Sequence, residues 1–265
     1  MKSESNKFIA HKRFGQHFLI DDSVVENTVS HAALSSSDRV VEVGPGPGIL
    51  TRAILKSPAQ HLTSIEIDAQ FWPSLEKLES PRFSLLKKDA LQVSLKKEFP
   101  EKVKIVANLP YNIGNQLLLN WVDELSSIHS MTLMLQDEVV QRICSNPGSK
   151  SYGRLSILIQ WLCEVKPLFK VPPQAFAPPP KVMSAVVQII PRDKPLYEVS
   201  KKSLERLTHL VFHQRRKMIG TSLKQLKHPA LEDILQKASI PATARPEEVS
   251  VLQFCKLAEL LEKSL

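Results

Sequence analysis

Cysteine is scarce in this sequence of 265 residues: Cys144, Cys163 and Cys255 stand far apart, with no Cys-x-x-Cys pair. That excludes a zinc ribbon and a disulfide framework, and an odd, sparse count suits a reducing compartment. Long apolar runs are missing too; the longest are of strand length, short of the roughly 20 residues that span a bilayer. The first residues, Met1-Lys2-Ser3-Glu4-Ser5-Asn6-Lys7, hold no apolar segment of a secretory leader. No spacing of His, Asp or Glu typical of metal ligands is visible, so no metal is expected. Internal repeats and low-complexity tails are absent. With 43% hydrophobic and 23% charged residues, the chain is not disordered, collagen-like or a coiled coil. The expectation is a soluble, cytoplasmic protein that does not engage a membrane.

What the sequence does have is positive charge. Its 35 Lys+Arg against 27 Asp+Glu give a net charge of +8, the balance of a protein that meets polyanions. The excess is uneven. The first 190 residues hold 21 Lys+Arg and 18 Asp+Glu; the last 75 hold 14 and 9. The densest run is Phe212-His213-Gln214-Arg215-Arg216-Lys217, and a second cluster, with Lys12 and Arg13, lies near the N-terminus. An isolated run of this kind is usually a solvated helix face; two clusters on a basic chain make Lys12, Arg13, Arg215, Arg216 and Lys217 candidates for nucleic-acid contact.

Apolar patterning predicts strands at residues 39–43, 61–67, 82–86, 102–107 and 130–135, with a last one at 181–190. Helices are expected after Asp21, at 49–56, and after Asp68, where Pro73 is tolerated in a first turn. Strands alternating with helices predict an α/β fold with a mostly parallel sheet. Residues 145–153 have the composition of a flexible loop, and residues 167–195 hold eight of the 19 prolines. From about 193 the pattern is helical to the end. The expected domains are 1–192, α/β and catalytic, and 193–265, small, all-helical and basic.

The loop Gly44-Pro45-Gly46-Pro47-Gly48 joins the first of these strands to a helix. Glycine lets the backbone turn sharply and approach a ligand closely, and such loops hold nucleotides at the carboxyl ends of parallel strands. The spacing is not the dinucleotide G-x-G-x-x-G. Glu42 sits just before the loop. Glu66, 22 residues after Gly44, can accept both ribose hydroxyls of an adenosine. Asp89 follows the third strand, where an adenine amino group could be read. Any one of these acids is explained by helix capping; the three in register fit an adenosyl ligand lying across the strand ends.

Asn108-Leu109-Pro110-Tyr111 follows the fourth strand. An X-Pro turn with a capping Asn is a common loop device, but these residues also fit a chemical task. The exocyclic amine of a base is a poor nucleophile because its lone pair is delocalised into the ring. Two acceptors aimed at its N–H groups free that pair. The Asn108 side-chain oxygen and a backbone carbonyl before or at Pro110 are candidates, and Tyr111 can stack on the base.

The Glu-x-Gly-x-Gly-x-Gly loop with Asn-Leu-Pro-Tyr resembles the class I S-adenosylmethionine-dependent N6-adenine methyltransferases. Phe14-Gly15-Gln16-His17-Phe18-Leu19, Lys88-Asp89-Ala90-Leu91, Tyr152-Gly153-Arg154-Leu155-Ser156 and Phe176-Ala177-Pro178-Pro179-Pro180-Lys181-Val182 narrow this to the rRNA adenine dimethyltransferases. The basic Phe212-to-Lys217 run resembles the KsgA-type branch. The resemblance covers residues 11 to 260 and implies a Rossmann-like methyltransferase sheet, mostly parallel with the last strand antiparallel. It implies S-adenosylmethionine as cofactor, S-adenosylhomocysteine as product and no metal. The substrate it implies is two adjacent adenines in the 3′-terminal hairpin of 16S rRNA, dimethylated in an immature 30S subunit by a monomer. His17, Leu19, Gly44, Gly46, Glu66, Ile67, Asp89, Ala90 and Asn108 would contact the cofactor. Asn108, Leu109, Pro110 and Tyr111 would serve the target amine, and Phe176 would stack on the flipped adenine. Three positions depart from the family: His17 where Asn is more usual, Lys88 where Gly is usual, and Pro47 within the loop. Alternatives are a 23S rRNA methyltransferase of the resistance branch, an RNA-binding assembly factor with secondary methylation, and a nicotinamide dehydrogenase, which the glycine spacing disfavours.

Overall fold

The computed structural model describes residues 8–11, 15–78 and 80–264. Lys12 and Arg13, and Phe14 of the N-terminal motif, lie outside the described residues. In chain order the elements are β1 (Phe18–Leu19), α1 (Asp22–His31), β2 (Arg39–Val43), α2 (Ile49–Lys56), β3 (His61–Ile65), α3 (Trp72–Glu76), β4 (Phe83–Leu86), α4 (Leu95–Glu98), β5 (Val103–Asn108), α5 (Gly114–Val122), β6 (Ile128–Gln136), α6 (Asp137–Cys144), α7 (Arg154–Leu162), β7 (Cys163–Val171), β8 (Phe176–Ala177), β9 (Ser184–Pro191), α8 (Lys201–His213), α9 (Ile219–Leu223), α10 (Leu231–Lys237) and α11 (Val251–Lys263).

Seven strands form one sheet in the order β4-β3-β2-β5-β6-β9-β7. β4, β3, β2, β5 and β6 run parallel, and β9 is antiparallel to β6. The chain builds outward from β2 through β3 to β4, then returns to lay β5 on the other side of β2. That reversal opens a crevice beyond the carboxyl ends of β2 and β5, the place where open α/β sheets take ligands. Val41 of β2 and its pairing partner Ile105 of β5 are fully buried, as expected of strands covered on both faces. A separate two-stranded pair, β1 with β8, aligns Leu19 with Phe176.

The chain divides into two compact units. One takes the residues up to Val140 together with Lys166–Pro191; the other takes Gln141–Val165 and the residues from Arg192 on. This differs from the expected division at 192/193, because residues 141–165 group with the C-terminal helices. The reason is apolar. α7 buries Ile157, Leu158, Ile159 and Trp161, and its packing partners are α8 and α11. α8 buries Leu204, Leu207, Thr208 and Val211; that spacing of three and four places them on one helical face. Ser250 and Gln253 close a capping box on α11, satisfying N–H groups at both positions.

Residues 145–153 form a loop, but one anchored by Tyr152, which is fully buried. Asp68 does not cap α3. Its carboxylate accepts from the Gln70 N–H, 3.2 Å, and the helix starts only at Trp72.

Candidate functional site

β2 delivers Gly44, Gly46 and Gly48 into φ values of +68°, +52° and +82°. These lie in the left-handed region, which costs a residue with a Cβ about 1–2 kcal/mol. Prolines alternate with them, so the loop is stiff. Arg52 of α2 holds it from beneath, donating to the carbonyls of Pro47 and Gly48, each at 2.9 Å. A Cβ on Gly44 would stand 3.5 Å from the Pro110 ring, narrowing the crevice between the glycine loop and the Asn-Leu-Pro-Tyr turn.

A cavity of about 240 Å³ occupies that crevice. Its lining includes His17, Leu19, Gly44, Gly46, Glu66, Ile67, Asp89, Ala90, Asn108, Leu109, Pro110 and Tyr111. Segments scattered over nearly 100 residues thus converge on one space. Phe176 is not in the lining. It is 2% exposed and packs in the core with Leu19, Val106 and Val186, so in this structure the ring supports β1 and offers no face to a base.

Asn108 ends β5. Its Nδ2 donates to the His17 carbonyl at 3.3 Å. A carbonyl only accepts, so the amide orientation is set and Oδ1 is left as the acceptor. The Pro110 carbonyl already accepts two N–H groups, from Ile113 at 3.2 Å and Gly114 at 2.9 Å. That rules it out as a second acceptor and leaves the carbonyl before it, on Leu109. The Leu109 N–H is fixed to the Met134 carbonyl of β6, 3.1 Å away.

Tyr111 is held from two sides. Its hydroxyl shares a hydrogen bond with the Ser184 hydroxyl at the start of β9, and its ring lies 5.4 Å from the His17 ring. His17 Nδ1 donates to the Pro178 carbonyl at 2.7 Å. The backbone of His17 positions Asn108 while its side chain clamps the proline segment, so this departure from the usual Asn keeps a structural task.

The acids differ in their settings. Glu66, 4% exposed, accepts from the Asp68 and Gly46 N–H groups at 2.8 and 3.1 Å. Burial pushes its carboxyl upward and these bonds oppose the shift. Asp89 does cap a helix: Oδ1 accepts from the Leu91 N–H at 2.9 Å at the start of a 3-10 turn, which leaves Oδ2 for a ligand. Lys88 sends its amine 3.1 Å to Glu98 of α4, away from the Asp89 carboxylate. Glu42, beneath the loop, is 1% exposed. Its Oε2 accepts from Thr51 at 2.8 Å and Ser64 at 2.6 Å, while Oε1 has no partner.

Sequence reasoning assigned no role to Gln16, Pro178 or Ser184. Gln16 bridges the His11 N–H and the Asp68 carboxylate. The motif around Gln16 was the only signal for it; Pro178 and Ser184 lie far along the chain from their partners. Of the basic run, Arg215 is spent inside its unit. It reaches Glu247 at 2.6 Å and the Lys150 carbonyl at 2.5 Å, so it ties down the 145–153 loop. Arg216 and Lys217 are exposed in the turn after α8, not on a helix face. Among the described residues no group of three His, Cys, Asp or Glu side chains is placed to hold a metal, and no helix is long and apolar enough to cross a membrane.

The model of the family described as ribosomal RNA adenine dimethylase matches residues 7–263. The chain belongs to that family. Among its relatives, the ribosomal RNA small subunit methyltransferase A of Gluconobacter oxydans is 41% identical, over 95% of this chain and 83% of the relative. That of Paramagnetospirillum magneticum is 42% identical, over 96% and 90%. Of solved structures, the 23S rRNA methyltransferase ErmE superposes with a TM-score of 0.72 at 30% identity, covering 92% of this chain and 99% of that one. A dimethyladenosine transferase from Plasmodium falciparum shares the fold, with a TM-score of 0.83 at 24% identity over 94% and 98%. The expected Rossmann-like methyltransferase fold and the family are both borne out, and the rRNA adenine dimethylase is an enzyme that transfers methyl groups. The cavity's polar groups fit the cofactor such enzymes use: a buried acid to accept from a diol, a second acid with one oxygen left over, and a loop whose glycines admit close approach.

Proposed function

We propose that this enzyme dimethylates N6 of two adjacent adenines in the 3′-terminal hairpin of 16S rRNA, acting in the cytoplasm as a monomer on the immature 30S subunit. The observation that carries the chemistry is the Asn108 amide, turned by the His17 carbonyl so that Oδ1 is the acceptor. The small-subunit assignment rests on relatives of that name at 41–42% identity, against 30% for the 23S rRNA enzyme.

In this reading a target adenine leaves its stack and enters beside Tyr111. Asn108 Oδ1 and the Leu109 carbonyl accept the two N–H groups of the amine. Both acceptors are fixed before the base arrives, so alignment costs no reorganisation at the reacting atom. Tyr111, braced by Ser184 and His17, offers its ring to the base. Glu66, Ile67, Asp89 and Ala90 would hold the nucleoside part of S-adenosylmethionine; Gly44, Gly46, His17 and Leu19 would lie along the rest. That cofactor, when bound, supplies an electrophilic sulfonium methyl and leaves as S-adenosylhomocysteine. After one methylation a single N–H remains, so one of the two acceptors loses its partner in the second transfer.

The test is tritium transfer from labelled cofactor into undermethylated 30S subunits, with the modified bases mapped by primer extension. Wild type should stop the primer at two adjacent adenines near the 3′ end of 16S rRNA. Asn108→Ala should lower the transfer rate at saturating cofactor by about 10²–10³-fold, as for loss of one preorganised polar group. Equal incorporation by the variant would remove Asn108 from the mechanism, and stops confined to 23S rRNA would overturn the substrate.

A further inference from the structure

The C-terminal unit holds a groove that the catalytic site does not use. Its volume is about 720 Å³, within the size range of ligand pockets. One wall is α9 with residues 242–243. Gly220 lets them close up: its N–H donates to the Ala242 carbonyl at 3.0 Å, and a Cβ on it would stand 2.8 Å from the same oxygen. The other wall is α10.

Two lysines stand on the rim. Lys224 opens a 3-10 turn, Lys224–Leu226, and Lys227 follows as its left-handed C-cap; both line the groove. Both are exposed, and neither forms an ion pair with a described residue. The acids of the rim are unequal. Asp233 is neutralised by Lys237 at 2.7 Å; Glu232 has no such partner among the described residues. His228 is taken up at both nitrogens, by the Ala230 N–H and the Ser264 carbonyl. Met218, 46% exposed, lines the groove with Pro229 and Ala242.

We propose that this groove holds one unpaired nucleotide of the rRNA substrate, its base against Met218, Pro229 and Ala242 and its flanking phosphates on Lys224 and Lys227. The proposal rests on the rRNA reading above and adds a second RNA contact, separate from Arg216 and Lys217. A splayed base can enter a concave groove that a duplex cannot, with the exposed Met218, Pro229 and Ala242 as its apolar contacts. With Asp233 neutralised by Lys237, the two lysines outweigh Glu232 and give the rim its positive charge.

The experiment is the affinity of the full chain for protein-free 16S rRNA and for undermethylated 30S subunits across a KCl series. The variant is Lys224→Ala with Lys227→Gly. Lys227 has φ +50°, so glycine removes the charge and suits the backbone. Two lost phosphate contacts should flatten the log–log salt slope by about 1.4, at about 0.7 per single-strand contact. Between 0.05 and 0.2 M KCl wild type should therefore lose about sevenfold more affinity than the variant. Glu232→Gln should move affinity the opposite way, which a merely structural role for this turn does not predict. An unchanged slope in the lysine variant, with wild type binding normally, overturns the groove and leaves the catalytic reading intact. Weakened binding to 30S subunits with unchanged binding to bare rRNA also overturns it, since the occupant is then a ribosomal protein. Absence of rRNA binding and methylation by wild type overturns both readings together.

Discussion

At the scale of the residue, Glu42 carries a consequence for pH. Burial pushes its carboxyl from an ordinary 4.5 up to about 7; the Ser64 and Thr51 hydroxyls oppose the shift and the nearby Glu66 adds to it. A proton on the unpartnered Oε1 turns an orphaned acceptor into a donor and removes a buried charge. The folded form holds that proton where the unfolded chain has lost it. The stabilisation is complete below about pH 4.5 and fades as pH rises through about 7. Glu42→Gln stays neutral and keeps an acceptor for both hydroxyls. Its melting temperature should fall less than that of wild type between pH 5 and pH 8, with the variant the more stable at pH 8. Glu66 is shifted in the same direction, so a weaker dependence should remain. Thermal melts at fixed ionic strength measure this, and superimposable profiles would refute it.

At the scale of the element, the start of β9 braces the Asn-Leu-Pro-Tyr turn through Ser184. Ser184→Ala removes the partner of the Tyr111 hydroxyl, worth about 0.5–1.5 kcal/mol for one hydrogen bond. Methyl transfer should fall by up to about tenfold with cofactor affinity unchanged; a drop in cofactor affinity alone would place Ser184 elsewhere in the mechanism. The loop at 145–153 gives a second case. Arg215→Ala should speed amide exchange at residues 148–153, because Lys150 and Glu247 lose their partner, and should leave the RNA salt slope as it was. A flatter slope would return Arg215 to the RNA surface. The parallel core was legible in the sequence because each buried strand is a short apolar run, and α2 falls on its expected residues, 49–56. So does the cap of α1, where Asp21 Oδ1 accepts from Ser23 and Val24. β7 was hidden by Pro167 and by a burial pattern without clean alternation. It stands at the edge of the sheet, where a missing ladder N–H is tolerated. β1 and β8, two residues each, are too short to leave a period. In the site, the converging residues were readable one by one from the strand ends. The contacts that orient them, His17 with Asn108 and Ser184 with Tyr111, join residues 91 and 73 apart and leave no local trace. Arg215 looked free for the same reason: its acid lies 32 residues on.

At the scale of the whole molecule, charge and chemistry are divided between two units, and the chain crosses between them three times. A linear reading places a cut after residue 192. A fragment ending there keeps α7 but lacks α8 and α11, and so exposes Ile157, Ile159 and Trp161, each at most 3% exposed in the full chain. That fragment should bind a hydrophobic dye and lose the sharp thermal transition of the intact protein. A monodisperse fragment with a cooperative melt would show that α7 finds cover within residues 1–192. The braces of the site also have a place in time. The cavity lining comes from residues 15–113, so it emerges early from the ribosome that makes it. Pro178 and Ser184 emerge more than 60 residues later. A nascent chain of about 165 residues already carries every lining residue, yet neither the clamp on His17 nor the brace on Tyr111. The clamp and the brace therefore wait until β9 has been made and slots between β6 and β7, well after every lining residue is in place.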